Sequence, residues 1–198
     1  MVFLRTGGSF FTLAEVERLS VQLAEQVKAS GYRPEVVVGI ANGGLFPAYL
    51  VAQALKLPFE TIRITHRQLR LGHLDTDDII GGCFLRNALY GAEPIVLGGC
   101  PDSIRERKIL LVDDDCSLGR TFRAALDLVT GSAAEARTAC VRVLNGNFDP
   151  DYVVSDHRGK VFKFPRFPWY KYSSEYPRYA RLREKFLYPS RYNHTRFG

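Results

Sequence analysis

The run Ile109-Leu-Leu-Val-Asp-Asp-Asp-Cys-Ser-Leu-Gly-Arg-Thr121 constrains the fold more than any other stretch of this chain. An apolar run ends abruptly in three carboxylates, a short polar loop follows, and Gly119, Arg120 and Thr121 open a stretch compatible with a helix. A short apolar run closed by a turn predicts a buried strand over Lys108–Val112. A strand, loop and helix in that order put the acids and the helix N-terminus at the carboxyl edge of a sheet. Loop amides and the helix dipole suit a phosphate, while Asp113 and Asp114 can reach hydroxyls or a metal-bound substrate. A solvated strand end and a simple divalent-metal patch are competing readings of the acids. The loop length and the Gly-x-Thr that follows favour a sugar-phosphate site.

The rest of the chain repeats this alternation. Thr12-Leu-Ala-Glu15 is a capping box ahead of an amphipathic helix that runs to about Ala29 and ends at Gly31. Leu13, Val16, Leu19, Leu23 and Val27 recur at helical spacing and should face the core. Glu35–Ile40 reads as a buried strand, Ala41–Gly44 as a tight loop, Leu45–Leu57 as a helix and Phe59–Thr65 as a second strand. Residues 66–107 are irregular and glycine-rich, with one short strand or hairpin near Pro94–Leu97; an excursion of this length predicts a mobile lid. A helix from about Thr121 to Thr130, a strand around Ala139–Leu144 and short strands at Asp151–Val154 and Val161–Phe164 complete the pattern. The prediction is an α/β fold: a mainly parallel sheet with helices on both faces. A single domain is expected over residues 1–172, followed by a C-terminal extension over 173–198.

Charge separates that extension from the rest. Residues 157–198 hold 11 Lys/Arg and 2 Asp/Glu, a net of +9, whereas the first 156 hold 16 and 19, a net of −3. The same tail carries 12 of the 24 aromatic residues. Basic aromatic segments can bind nucleic acid, but no RNA-binding signature accompanies the charge. An oligomer-forming or core-wrapping tail is therefore expected, with nucleic acid not expected as a partner. No apolar run approaches membrane-spanning length, and the four cysteines (83, 100, 116 and 140) lack metal-ligand spacing. A cytoplasmic protein with reduced thiols, no membrane partner and a homo-oligomeric state is expected.

A second strand–loop–helix junction lies at Val38-Gly-Ile-Ala-Asn-Gly-Gly44. Its glycines let backbone approach a phosphate closely. Both loops should emerge on one edge of a parallel sheet, which suggests a substrate with phosphates at both ends.

With these motifs placed, the chain resembles the type I phosphoribosyltransferases, nearest the xanthine/hypoxanthine branch. Val112–Thr121 resembles that family's signature for phosphoribosyl pyrophosphate (PRPP), and Gly39–Ala48 its pyrophosphate loop. The likeness continues through Thr61–Arg67, Pro150–Val154 and Phe167-Pro-Trp169, covering about residues 10–170. It implies Mg²⁺-dependent transfer of 5-phosphoribose from PRPP to a small-molecule nitrogen acceptor of purine type, with release of pyrophosphate, as in purine salvage. Asp113 and Asp114 would hold the ribose hydroxyls, directly or through Mg²⁺. Asp115, Cys116, Ser117, Leu118, Gly119, Arg120 and Thr121 would form the 5-phosphate loop. Ala41, Asn42, Gly43 and Gly44 would receive the pyrophosphate. Trp169 and Phe167 would stack on the acceptor, and His66, Arg67 and Arg70 are candidates for lid contacts with phosphate.

Four positions depart from the family pattern. Asn42 stands where a basic residue is frequent, and Leu118 replaces a threonine. Ser117 stands where purine enzymes place an aspartate to manage the N7 proton, and serine is a poor acid or base at neutral pH. The segment Val141–Gly146 lacks the usual lysine; Arg142 either stands in or faces solvent. These departures leave two alternatives open: transfer to a non-purine acceptor (a pyrimidine or an amine), and a non-catalytic PRPP-sensing regulator that binds nucleic acid.

Overall fold

The computed structural model describes residues 9–66, 93–144, 146–159, 165–170 and 173–187. In chain order its elements are β1 (Ser9–Phe10), α1 (Leu13–Ala29), β2 (Val36–Ala41), α2 (Leu45–Leu55), β3 (Phe59–His66) and β4 (Pro94–Val96). There follow β5 (Lys108–Cys116), α3 (Arg120–Val129), β6 (Glu135–Val143), β7 (Tyr152–Asp156), β8 (Pro165–Arg166) and α4 (Tyr176–Leu187). Six strands form one sheet in the order β4-β3-β2-β5-β6-β7. Every pairing in it is parallel except β3 with β4. β1 and β8 pair separately, also in parallel.

The two-residue period of the strands sorts their side chains onto two helical layers. Val36, Val38 and Ile40 of β2 join Ile109, Leu111 and Cys140 against Phe122, Ala125 and Val129 of α3. Val37, Leu110, Val112 and Ala139 point the other way, onto Leu23 and Val27 of α1 and Ala48, Val51 and Ala52 of α2. Helices on both faces follow directly. Each fully buried Val, Leu or Ile contributes ~1.5–3 kcal/mol, so these layers hold the sheet. Tyr32 closes the bottom of the second layer: its hydroxyl donates to the Ile109 carbonyl at 2.8 Å. The Arg137 guanidinium lies over its ring at 4.4 Å.

α1 begins where the capping box places it. The Thr12 hydroxyl accepts from the Glu15 amide, and the Glu15 carboxylate accepts from the Thr12 amide at 2.8 Å. α2 stops at Leu55, two residues short of the expected end, because Lys56 turns left-handed at φ 57° and caps it.

Two differences bear on function. β5 does not stop at Val112: it runs through the acids to Cys116, because β6 pairs with it as far as Cys116↔Val143. The tail packs on the core, as the core-wrapping alternative has it, but through a helix that was not expected. Its helix α4 seats Tyr179, 2% exposed, among Leu13, Val16, Phe46, Val141 and Phe167. Among the described residues no helix is long and apolar enough to cross a membrane. The expected short strand near Pro94–Leu97 is β4, whereas residues 67–92 of the expected lid and the expected strand at residues 161–164 lie outside the described residues.

Candidate active site

Parallel pairing of β2 with β5 brings their carboxyl ends side by side, and with them the two loops. Ala41–Gly44 leads from β2 into α2, with a cis peptide between Ala41 and Asn42. The loop lies directly on β5, and only glycine permits that approach. A Cβ on Gly43 would stand 2.6 Å from the carboxylate carbon of Asp114. A Cβ on Gly44 would stand 2.8 Å from Asp113 Cα and from the Ile40 carbonyl oxygen, and nearer still to the Val112 carbonyl.

The three acids share one strand but not one environment. Asp113 is 7% exposed, and its Oδ1 accepts the Asp114 amide at 2.9 Å. Burial, then repulsion from Asp114, pushes its carboxyl well above the usual carboxylate range. Asp114 is raised too, chiefly by burial, against hydrogen bonds that favour its ionised form. One of those comes from Trp169, whose indole Nε1–H donates to Asp114 Oδ2 at 2.7 Å. Burial pushes Asp115 up to about 7, although the Arg142 guanidinium, 3.7 Å away, pulls the other way. Arg142 is fully buried, so the solvent-facing alternative is excluded.

Asp113 and Asp114 are hard oxygen donors that crowd each other in a buried site, and this suits a small divalent cation. Among the described residues no cluster of three or more His, Cys, Asp or Glu side chains forms a complete metal cage. Mg²⁺ typically binds through one or two carboxylates, with water and substrate oxygens completing its shell, so Asp113 and Asp114 are the residues that would hold one.

Beyond β5 the chain turns into α3 through Ser117, Leu118 and Gly119. Gly119 sits at φ 70°, and a Cβ there would strike the Phe148 side chain. Arg120 and Thr121 begin the helix. Among the described residues the Ser117 hydroxyl oxygen is buried without a hydrogen-bond partner. The Leu118 carbonyl accepts from Arg123 at 3.0 Å. Cys116 is buried in the core, and its thiol is pushed up to about 12, first by burial and then by Asp113. It is a packing residue. His66, expected at the lid, lies at the end of β3 with Nε2 3.2 Å from the Thr121 hydroxyl, which puts it beside this loop. Arg67 and Arg70 lie outside the described residues.

The aromatic pair corrects one expectation. Phe167 is fully buried and stacked on both faces, by Phe11 at 4.7 Å and by Trp169 at 4.7 Å. With no free face, it supports Trp169 rather than meeting an acceptor. Trp169 is half-buried, with Phe167 on one face and Tyr179 tilted against it at 5.6 Å. Reading the sequence missed α4 altogether. That helix brings Tyr179 against Trp169 and sets Arg183 Nη2 3.3 Å from Asn42 Oδ1 in the first loop. The spacing of Tyr176, Tyr179 and Leu182, all packed on the core, was the available signal.

Comparison with known proteins agrees with this geometry. The model of the phosphoribosyl transferase domain matches residues 11–147. The chain is 32% identical over 136 residues to the bifunctional protein PyrR of Citrifermentans bemidjiense, covering 65% of this chain and 67% of that one. It is 32% identical over 111 residues to PyrR of Bacillus cereus, where it spans only 56% of the relative's length and 56% of its own. Among solved structures, a purine phosphoribosyltransferase from Pyrococcus horikoshii superposes with a TM-score of 0.62 at 22% identity. That superposition covers 83% of this chain and 95% of the other, a likeness of fold.

Proposed function

This chain belongs to the phosphoribosyl transferase domain family and is a phosphoribosyltransferase, and from that premise we propose that it transfers 5-phosphoribose from PRPP to a purine-type base. The observation that carries the reading is the seating of the Gly43-Gly44 loop on Asp113 and Asp114. It joins a phosphate-binding loop to a pair of acids at one sheet edge. Those acids are suited to the ribose hydroxyls, and the amides and hydroxyls of Cys116–Thr121 to the 5-phosphate. The unsatisfied Ser117 hydroxyl supports the latter assignment. Ala41–Gly44 would take the pyrophosphate, and Trp169 would border the acceptor.

The chemistry asks little covalent work of the protein. The acceptor nitrogen forms a bond to ribose C1 as the C1–O bond to pyrophosphate breaks, with the electron pair leaving on pyrophosphate. Positive charge develops on the ribose ring, and Asp113 and Asp114, held ionised once a bound cation offsets their burial and mutual repulsion, would stabilise it from close range. Mg²⁺, which these two carboxylates would hold, supplies charge neutralisation for the leaving pyrophosphate. Ser117 is a poor general base beside the loop, so an acceptor that surrenders its proton readily to water, or needs none removed, fits best.

Replacing Asp113 and Asp114 together by Asn tests the assignment. Acceptor-dependent pyrophosphate release should fall by ~100-fold or more, the scale of losing the main electrostatic stabilisers. Turnover within threefold of the parent would show that the acids do not hold the ribose. The relatives' description as bifunctional supports a second reading, a PRPP-responsive regulator using the basic tail. It predicts PRPP binding without turnover for any acceptor.

A further inference from the structure

The first loop presents the sequence Ala41-Asn-Gly-Gly44, without a cationic side chain, to what the proposed function makes a doubly charged leaving group. A cation nevertheless stands at its tip. Arg183 projects from α4 so that its Nη2 donates to Asn42 Oδ1 at 3.3 Å. Its Nε is buried and has no hydrogen-bond partner, and among the described residues Arg183 forms no ion pair. One turn earlier on the same helix, the Tyr179 hydroxyl is also buried without a partner among the described residues, in a residue only 2% exposed. A buried donor left unmatched is costly, and the one on Arg183 stands at this loop, where an acceptor that arrives with a ligand would satisfy it.

We propose that Arg183, supported by Tyr179, is the cationic contact for the diphosphate of PRPP and for released pyrophosphate, supplied to the Ala41–Gly44 loop by the C-terminal helix. The inference rests on the phosphoribosyl-transfer reading and adds to it the residue that offsets the pyrophosphate charge. Asn42 then acts as a positioning residue: its side-chain oxygen holds the guanidinium at the loop while leaving other N–H donors for phosphate oxygens. A guanidinium suits this task because its fork of donors matches two oxygens of one phosphate. The helix that carries it is anchored through Tyr179 in the same core as Phe46 of α2 and Phe167. The cation is thus fixed relative to the loop rather than swinging on a free tail.

Titration calorimetry on the full chain, in Mg²⁺ buffer, separates the two subsites with two probes. Inorganic pyrophosphate reports the first loop, and ribose 5-phosphate reports the Cys116–Thr121 loop alone. Arg183→Gln should weaken pyrophosphate binding by about tenfold or more, the scale of a lost hydrogen bond to a charged group. Ribose 5-phosphate binding should stay within twofold of the parent. Adding Asn42→Arg to Arg183→Gln should recover most of the lost pyrophosphate affinity, because it returns a cation to the same place. Unchanged pyrophosphate affinity in Arg183→Gln would overturn the proposal. So would equal weakening of both probes with no rescue, the pattern of a helix that merely braces the fold. If the parent protein binds neither probe nor PRPP, the phosphoribosyl reading itself fails, and that result is distinct from a selective loss at one subsite.

Discussion

Trp169→Phe is the most discriminating single substitution this structure offers. Phenylalanine keeps an aromatic ring to stack on Phe167, which lies parallel to the indole within 6°. It removes the other ring of the indole, and with it the N–H that donates to Asp114 Oδ2 at 2.7 Å. Asp114 retains the Asp115 amide at 2.8 Å on its other oxygen, so its side chain is left half-tethered rather than free. A hydrogen bond to a charged group is worth ~1.5–3 kcal/mol. At ~1.4 kcal/mol per decade, its loss corresponds to ~10–150-fold in an equilibrium that depends on the carboxylate's placement. The remaining tether makes the lower end of that range the expected value. The assay is calorimetric PRPP binding in Mg²⁺ buffer for the parent, Trp169→Phe and Trp169→Ala. About tenfold weaker binding is expected for both variants, with Trp169→Ala alone losing acceptor affinity as well. PRPP affinity within twofold of the parent for Trp169→Phe would refute the argument, because Trp169 would then orient nothing that PRPP touches.

Two further outcomes follow from the geometry. Gly44→Ala drives a methyl group into backbone on three sides, none of which can swing away. Overpacking of this kind costs ~1–3 kcal/mol, read as a Tm lowered by several degrees, and PRPP binding should fall with it; an unchanged Tm would show that the first loop does not lie on β5. Burial, then Glu135, raises the Tyr32 phenol above its ordinary value of 10.0. The unfolded chain therefore ionises first, the native state binds more protons, and stability falls as pH climbs above ~10. Tyr32→Phe should lose ~1 kcal/mol at neutral pH with the hydrogen bond to Ile109, and denaturant melts should show a shallower alkaline decline. A decline as steep as the parent's would place the titrating groups elsewhere.

Much of this architecture is legible in the residues because local chemistry and tertiary packing agree. Thr12 and Glu15 write the start of α1, and Val36–Ile40 and Ile109–Val112 are runs that only a doubly covered strand accommodates. The two loops were legible for the same reason: each glycine-rich or acidic turn follows such a run. What stayed hidden depended on distant partners. Asp113–Cys116 have little intrinsic strand preference, and it is pairing with β6 that keeps them extended. The helix α4 opens on tyrosines of modest helix propensity around Pro177, and its packing on α1 and α2 residues decides it. Phe167 looked available beside Trp169, but the ring covering its far face, Phe11, lies at the other end of the chain. The Trp169–Asp114 and Arg183–Asn42 contacts join residues 55 and 141 positions apart, and no spacing rule reaches that far.

Pyrophosphate release from Mg²⁺–PRPP, measured across purines, orotate and uracil, nicotinate-like rings, and polyamines or amino sugars, tests the central claim most directly. The account predicts release that depends on a purine-type base and disappears when Asp113 and Asp114 are both replaced by Asn. No release with any acceptor, from a protein that binds PRPP, would contradict it.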